Sequence, residues 1–141
     1  MPLLLDAFAV VAILRGEPAA DDLLPHLASG DAACHPVNLA EVLDQLVRLD
    51  GRDGDDVEAD IALLGVEIAP ADDGELANAG RLRARHYRRG DSAVSLADCV
   101  AAAHALAHGL TLATSDPPLA ALMRTEGGTV LALPDSAGRR P

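Results

Sequence analysis

Four carboxylates stand where their side chains could hold a divalent cation: Asp6, Glu41, Asp98 and Asp116. Asp6 directly follows the apolar run Leu3-Leu4-Leu5, and Asp116 closes Thr114-Ser115-Asp116 just after another apolar segment. The other two share a local pattern. Asn38-Leu39-Ala40-Glu41 and Ser95-Leu96-Ala97-Asp98 are each a capping residue, Leu, Ala and an acid. Read singly, Glu41 and Asp98 fit a capping box, where an acid in the first helical turn reaches back to the cap and suits the positive helix end. Asp116, ahead of Pro117-Pro118, fits an ordinary turn or helix-start residue. Asp6 is the acid that capping does not explain, because a carboxylate against a buried strand is costly unless paired, protonated or bound to a cation. Four close carboxylates repel and raise one another's pKa unless a cation neutralises them. An all-oxygen ligand set without His or Cys selects a hard ion, so Mg²⁺ or Mn²⁺ is implied.

Such acids meet only if the fold brings their elements to one edge. Leu3-Leu4-Leu5 has the continuous apolar pattern of a strand buried on both faces. Further short strands are predicted at Ala32–Pro36, Val66–Ile68, Leu110–Ala113 and Thr129–Leu133. Helices are predicted between them: Ala7–Leu14, Pro18–Ala28 with Pro25 as a kink or break, a helix capped by Asn38 and ending near Leu49, and one from Asp55 or Asp56 to before Gly65. Three more follow, Glu75–Arg89, Leu96–His108 capped by Ser95 and stopped by Gly109, and Leu119–Arg124. Alternation of strands and helices predicts an α/β fold, a parallel sheet covered on both faces. In such sheets ligands collect at the carboxyl ends of the strands, near a point where strand order reverses. One domain is expected over residues 1–134, with 135–141 a flexible C-terminal tail.

Composition narrows the function. The chain has 141 residues, half of them apolar, but one Phe, one Tyr and no Trp, so Ala, Leu and Val must fill the core. Cys34 and Cys99 are too few for a disulfide framework and read as free thiols of a reducing cytosol. No signal peptide and no run long enough to span a membrane are evident, so a cytoplasmic location is expected. A net charge of −11 argues against a general nucleic-acid binder, although a cation and a local basic strip would offset it. All eleven basic residues are Arg, five of them at Arg81, Arg83, Arg85, Arg88 and Arg89. On a helix, Arg81, Arg85 and Arg88 fall on one side, a face for a phosphate backbone, an acidic partner segment or solvent. His104 and His108 have zinc-site spacing but no third ligand between them, and read as surface or interface residues. Cys99, with no His partner indicated, reads as a buried thiol rather than a nucleophile. Walker-type and dinucleotide-type glycine loops are absent.

Taken in order, Leu3-Leu4-Leu5-Asp6-Ala7, Val37-Asn38-Leu39-Ala40-Glu41-Val42-Leu43, Ser95-Leu96-Ala97-Asp98 and Leu112-Ala113-Thr114-Ser115-Asp116 resemble the PIN-domain ribonucleases, especially VapC-like toxins of toxin–antitoxin pairs. The resemblance spans about Leu3 to Leu133. It implies a three-layer α/β/α sandwich with a central parallel sheet, and endonucleolytic cleavage of RNA with Mg²⁺ or Mn²⁺ held by the four acids. It also implies a small antitoxin that blocks the site and joins the toxin in a DNA-bound autoregulatory complex, and it suggests a homodimer. Asp6 and Asp98 are the first choices as direct ligands. Glu41 and Asp116 would ligate through water, position the nucleophile or help hold a second ion. Asn38, Thr114 and Ser115 are candidate supports of that site or donors to phosphate, or simply turn and cap residues. Two positions depart from the family pattern: Phe8 stands where a Ser or Thr is common, and Pro117 where Arg is common. Phe8 also occupies the place of the second Asp that a haloacid dehalogenase-type phosphatase requires. The same residues are also compatible with a PIN-like binding module without activity, or with a solitary RNA-processing nuclease.

Overall fold

The computed structural model describes residues 2–141; Met1, the first residue of the expected domain, lies outside the described residues. The central strand is β1 (Leu3–Leu5), buried along its whole length as its unbroken apolar run predicts. It is followed by α1 (Ala7–Arg15), α2 (Ala19–Ala28), β2 (Ala32–Cys34), α3 (Pro36–Arg48), α4 (Gly54–Leu63) and β3 (Glu67–Ile68). The second half comprises α5 (Asp73–His86), α6 (Leu96–His108), β4 (Thr111–Thr114), α7 (Pro117–Thr125) and β5 (Thr129–Ala132). The strands form one sheet in the order β3-β2-β1-β4-β5, every pairing parallel.

The chain builds outward from β1 to β2 and β3, then returns to the other side of β1 for β4 and β5. The order therefore reverses between β1 and β4, and Leu5 lies level with Ala113 there. Side chains alternate across the sheet. Leu3 and Leu5 join a core with Val10, Leu23, Val42, Leu46, Val57 and Ile61 from α1–α4. Leu4 faces the other way, into a core with Leu82, Val100, Leu112, Leu119 and Met123 under α5–α7. The result is the expected three-layer α/β/α sandwich. With so few aromatics, α6 packs through small residues, burying Val100, Ala101, Ala102, Ala103 and Ala105. Gly109 stops that helix at φ 63, a left-handed conformation that costs glycine little.

Three local expectations are corrected. Pro25 lies inside α2 without ending it. The cap of α3 is His35, not Asn38: its Nδ1 accepts from the Val37 N–H at 3.1 Å, and Pro36 occupies the first turn, where its missing N–H costs nothing. Finally, α5 stops at His86, because Tyr87 turns extended and Arg88 pairs with Ser92 in a tight turn. Arg88 is therefore not on the helix that carries Arg81 and Arg85.

Candidate active site

Asp6, Glu41, Asp98 and Asp116 come together at the carboxyl end of the sheet, where they line one cleft of about 240 Å³ with Phe8, Gln45, Ser115 and Pro117. Asp6 ends β1 and begins α1. Its Oδ1 accepts from the Ala9 N–H at 2.8 Å, so it is the N-cap of α1 after all. The expectation that capping leaves Asp6 unexplained is thus corrected. What sets it apart is burial, at 2 % exposed. Burial pushes its carboxyl up to about 7; hydrogen bonds from the Thr114 side chain and the Ala9 N–H oppose this, while the charges of Asp98 and Asp116 add to it.

Thr114 ends β4 and is fully buried. Its hydroxyl bonds the Asp6 carboxyl and accepts from the Asp116 N–H at 3.0 Å, so one side chain joins the two strand-end acids. Asp116 caps α7, its Oδ2 accepting from the Leu119 N–H at 2.9 Å. Its carboxyl is raised, mainly by burial and further by Asp98, against the Leu119 hydrogen bond.

Asp98 follows its sequence expectation. Ser95 Oγ accepts from the Asp98 N–H, and the Ser95 N–H donates to Asp98 Oδ2, both at 3.0 Å. The capping box fixes the carboxylate and leaves Oδ1 outside the box. Glu41 does not follow its expectation. Because α3 starts at Pro36, Glu41 lies beyond the first turn and is no capping-box acid. Burial raises its carboxyl, and Asp98 and Asp44 add to the rise. Its Oε2 is buried without a hydrogen-bond partner. Asn38 is buried on α3, and its side-chain amide donates to the Ala97 carbonyl at 3.2 Å. That bond ties α3 to the first turn of α6 and sets Glu41 relative to Asp98.

A buried, unpartnered carboxylate oxygen, a raised Asp6 and an all-oxygen donor set fit a hard divalent cation, which would satisfy the first and offset the burial and repulsion behind the second. Among the described residues, the trio of metal-type ligand atoms within 4.8 Å of one another lies elsewhere, at Glu75, His104 and His108. The four acids ring an open cleft, compatible with Mg²⁺, which keeps several waters of its own. Gln45 also lines the cleft and escapes sequence reasoning. The signal that could find it is its position four residues after Glu41, on the same helix face.

Other residues with sequence-predicted roles lie apart from the acids. Arg81 and Arg85 line a separate cleft of about 370 Å³ with Asn78, Leu106 and Glu126. There Arg85 bonds Glu126 at 2.6 Å and Arg81 bonds Asn78 at 3.0 Å. Arg88 donates to the backbone carbonyls of Arg85 and Tyr87. Cys99 is buried, which pushes its thiol up to about 11, far from thiolate chemistry. The reading of both His104 and His108 as surface or interface residues is corrected: His104 is 5 % exposed and bonded to Glu75. The missing partner comes from another helix, so spacing along α6 does not reveal it.

The described fold resembles several solved structures. VapBC2 from Rickettsia felis, bound to a DNA fragment from their promoter, matches at 22% identity and TM-score 0.68, covering 93% of this chain and 98% of that one. FitAcB from Neisseria gonorrhoeae matches at 23% identity and TM-score 0.67, covering 92% and 96%. VapBC-1 from nontypeable Haemophilus influenzae matches at 14% identity and TM-score 0.68, covering 93% and 97%. At these identities the likeness establishes the fold. No curated protein matches the sequence. The PIN domain family model matches residues 3–125, from the first strand through α7, and so spans all four acids. With that match, the chain belongs to the PIN domain family, whose members are generally nucleases.

Proposed function

We propose that this chain is a metal-dependent endoribonuclease, the toxin of a VapBC-like toxin–antitoxin pair, active through residues 1–134. The observation that carries the reading is the meeting of four acids from four elements in one cleft at the switch point, where Glu41 Oε2 is buried and unpartnered. Asp6 and Asp98 are assigned as direct ligands of Mg²⁺ or Mn²⁺. Each has one oxygen committed to a backbone N–H and the other outside that bond. Glu41 and Asp116 are assigned to ligation through water and to orienting the attacking water. A bound ion of this kind lowers the pKa of water and stabilises charge growing on the phosphate.

The chain's own residues hold that arrangement. Thr114 bonds Asp6 and Asp116 together, while Asn38 fixes α3 against α6. Ser115 lines the cleft as a donor for phosphate, beside Phe8 and Pro117. Arg81, Arg85 and Arg88 are assigned to the RNA backbone, outside the acid cleft. An acidic protein needs such a strip to approach a polyanion. The VapBC likeness supports a cognate antitoxin as partner, and a homodimer and a cytoplasmic location complete the proposal. No helix among the described residues is long and apolar enough to cross a membrane.

The test is cleavage of single-stranded RNA by the wild type and Asp6→Asn, with Mg²⁺ or Mn²⁺ and with EDTA. Metal-dependent cleavage that disappears in Asp6→Asn is expected. Cleavage at the wild-type rate by Asp6→Asn, or cleavage insensitive to EDTA, overturns the mechanism. A wild type that binds RNA without cutting it identifies an inactive binding module.

A further inference from the structure

We propose that Glu75, His104 and His108 form a second metal site, separate from the acid cleft, for a borderline transition-metal ion of the Zn²⁺ type that clips α5 to α6. Glu75 lies in the first turn of α5, and the two histidines lie in the second half of α6. The helices pack antiparallel, as the bond from Arg83 to the Val94 carbonyl at their other end shows. His104 Nδ1 meets Glu75 Oε2 at 2.7 Å, and His108 Nε2 meets Glu75 Oε1 at 2.5 Å. One ligand atom from each residue lies within 4.8 Å of the others.

The donor set decides the kind of ion. Two imidazoles and one carboxylate suit Zn²⁺ and its neighbours, whereas the all-oxygen cleft suits Mg²⁺ or Mn²⁺. The i, i+4 spacing places both imidazoles on one face of α6, and Glu75 supplies the third donor from across the helix pair. Tetrahedral bonds of about 2.0–2.1 Å set ligand atoms roughly 3.3 Å apart. The present contacts are hydrogen bonds to different Glu75 oxygens, so with one of those oxygens as ligand its imidazole must move back by about 0.6–0.8 Å as the ion replaces the bridging proton. His108 is half exposed at the solvent edge of the cluster, while His104 is held in the core. Three protein ligands leave a fourth position open to solvent on the His108 side.

His35 adds an independent observation. It is fully buried, its ring stands edge-on to His104 with centroids 5.6 Å apart, and its Nδ1 already accepts from Val37. The ring proton therefore sits on Nε2, which has no hydrogen-bond partner. A buried unsatisfied donor costs about 1–3 kcal/mol. That unsatisfied ring lies against His104, the buried member of the trio. Along α6, His104 is six residues from Asp98, about 9 Å of helix, so the two sites are physically distinct.

Full-length protein stripped with EDTA and dialysed is titrated with Co²⁺ and then Zn²⁺. The expected result is the intense visible bands of a four-coordinate site saturating at one Co²⁺ per chain, abolished by Zn²⁺, and a higher Tm in Zn²⁺. Glu75→Gln and His108→Ala should each weaken binding by at least about 100-fold. The double variant Asp6→Asn, Asp98→Asn should keep the bands. Circular dichroism checks that the variants fold; should His108→Ala unfold, Glu75→Gln gives the same readout. A weak six-coordinate spectrum, an unchanged Tm, or bands that persist without His108 and vanish without the acids overturns the proposal. In those cases the trio is an ion-pair clamp between two helices. None of these readouts depends on nuclease activity.

Discussion

The acid cleft and the Glu75–His104–His108 cluster both involve α6, yet they are built on different principles. Asp6 and Asp116 sit at the ends of adjacent central strands, and Asp98 and Glu41 are held by a capping box and by the Asn38 bond to Ala97. Backbone geometry places like charges together there, and burial with mutual repulsion drives Asp6 up to about 7. In the second cluster opposite partners close on each other. Although burial pushes the Glu75 carboxyl up, hydrogen bonds from His104 and His108 hold it below its usual range. The first cluster is frustrated without a cation; the second satisfies itself with protons. A packed sandwich can thus carry one cluster of strained like charges and another whose partners satisfy one another.

The largest expected effect tests the frustrated cluster. Asp98→Asn should lower RNA cleavage by roughly 10³-fold, the several kcal/mol that metal-assisted charge stabilisation supplies. Gel assays at saturating Mg²⁺ measure it; a loss under tenfold means the cleft does not act as a unit.

Next comes stability in EDTA. Folding holds the Asp6 proton to about 7 against a usual 3.8, so the wild type loses stability as pH rises through that window, and the loss is complete above it. Asp6→Asn avoids the loss. Its advantage over the wild type should therefore grow between pH 4 and 7 and then level off, reaching at most about 4 kcal/mol by linkage. Urea denaturation across that range measures it. A pH-independent difference shows that Asp6 is not strained, and the contrast between the clusters disappears.

Thr114→Val should cost about 1–3 kcal/mol by leaving the Asp116 N–H and the Asp6 carboxyl without the hydroxyl. Denaturant midpoints check it, and an unchanged midpoint means that Thr114 does not couple the two strand ends. The smallest effect concerns the Arg cleft. Arg81→Ala with Arg85→Ala should weaken RNA binding a few-fold and flatten its dependence on salt. Unchanged binding assigns that strip to Glu126, to a protein partner or to solvent.

Much of the cleft is legible in the sequence. β1 and Asp6 announce themselves through an apolar run broken by a charge, and Ser95 with Asp98 forms the capping box that its pattern describes. The Glu41 segment has the same pattern but a different structure, because Pro36 lets the helix start earlier and His35 takes the cap. A capping motif reports local hydrogen-bonding capacity, and a proline two residues earlier changes which residue uses it. The extent of α5 departs from expectation for a related reason. Arginines favour helix as far as Arg89, but the Arg88–Ser92 turn ends the helix at His86.

From its sequence alone, this protein is an alternation of short apolar strands and amphipathic helices with four acids at their ends, and these features determine an α/β sheet and an oxygen-rich site. They rest on periodicity and capping, which act within a few residues. Tertiary structure alone decided that Thr114 bridges Asp6 and Asp116, that Glu41 Oε2 is buried unpartnered, and that Glu75 reaches two histidines about thirty residues away. Those contacts arise from packing α5 on α6 and from strand order β1-β4, and packing is a property of the assembled layers rather than of any one segment.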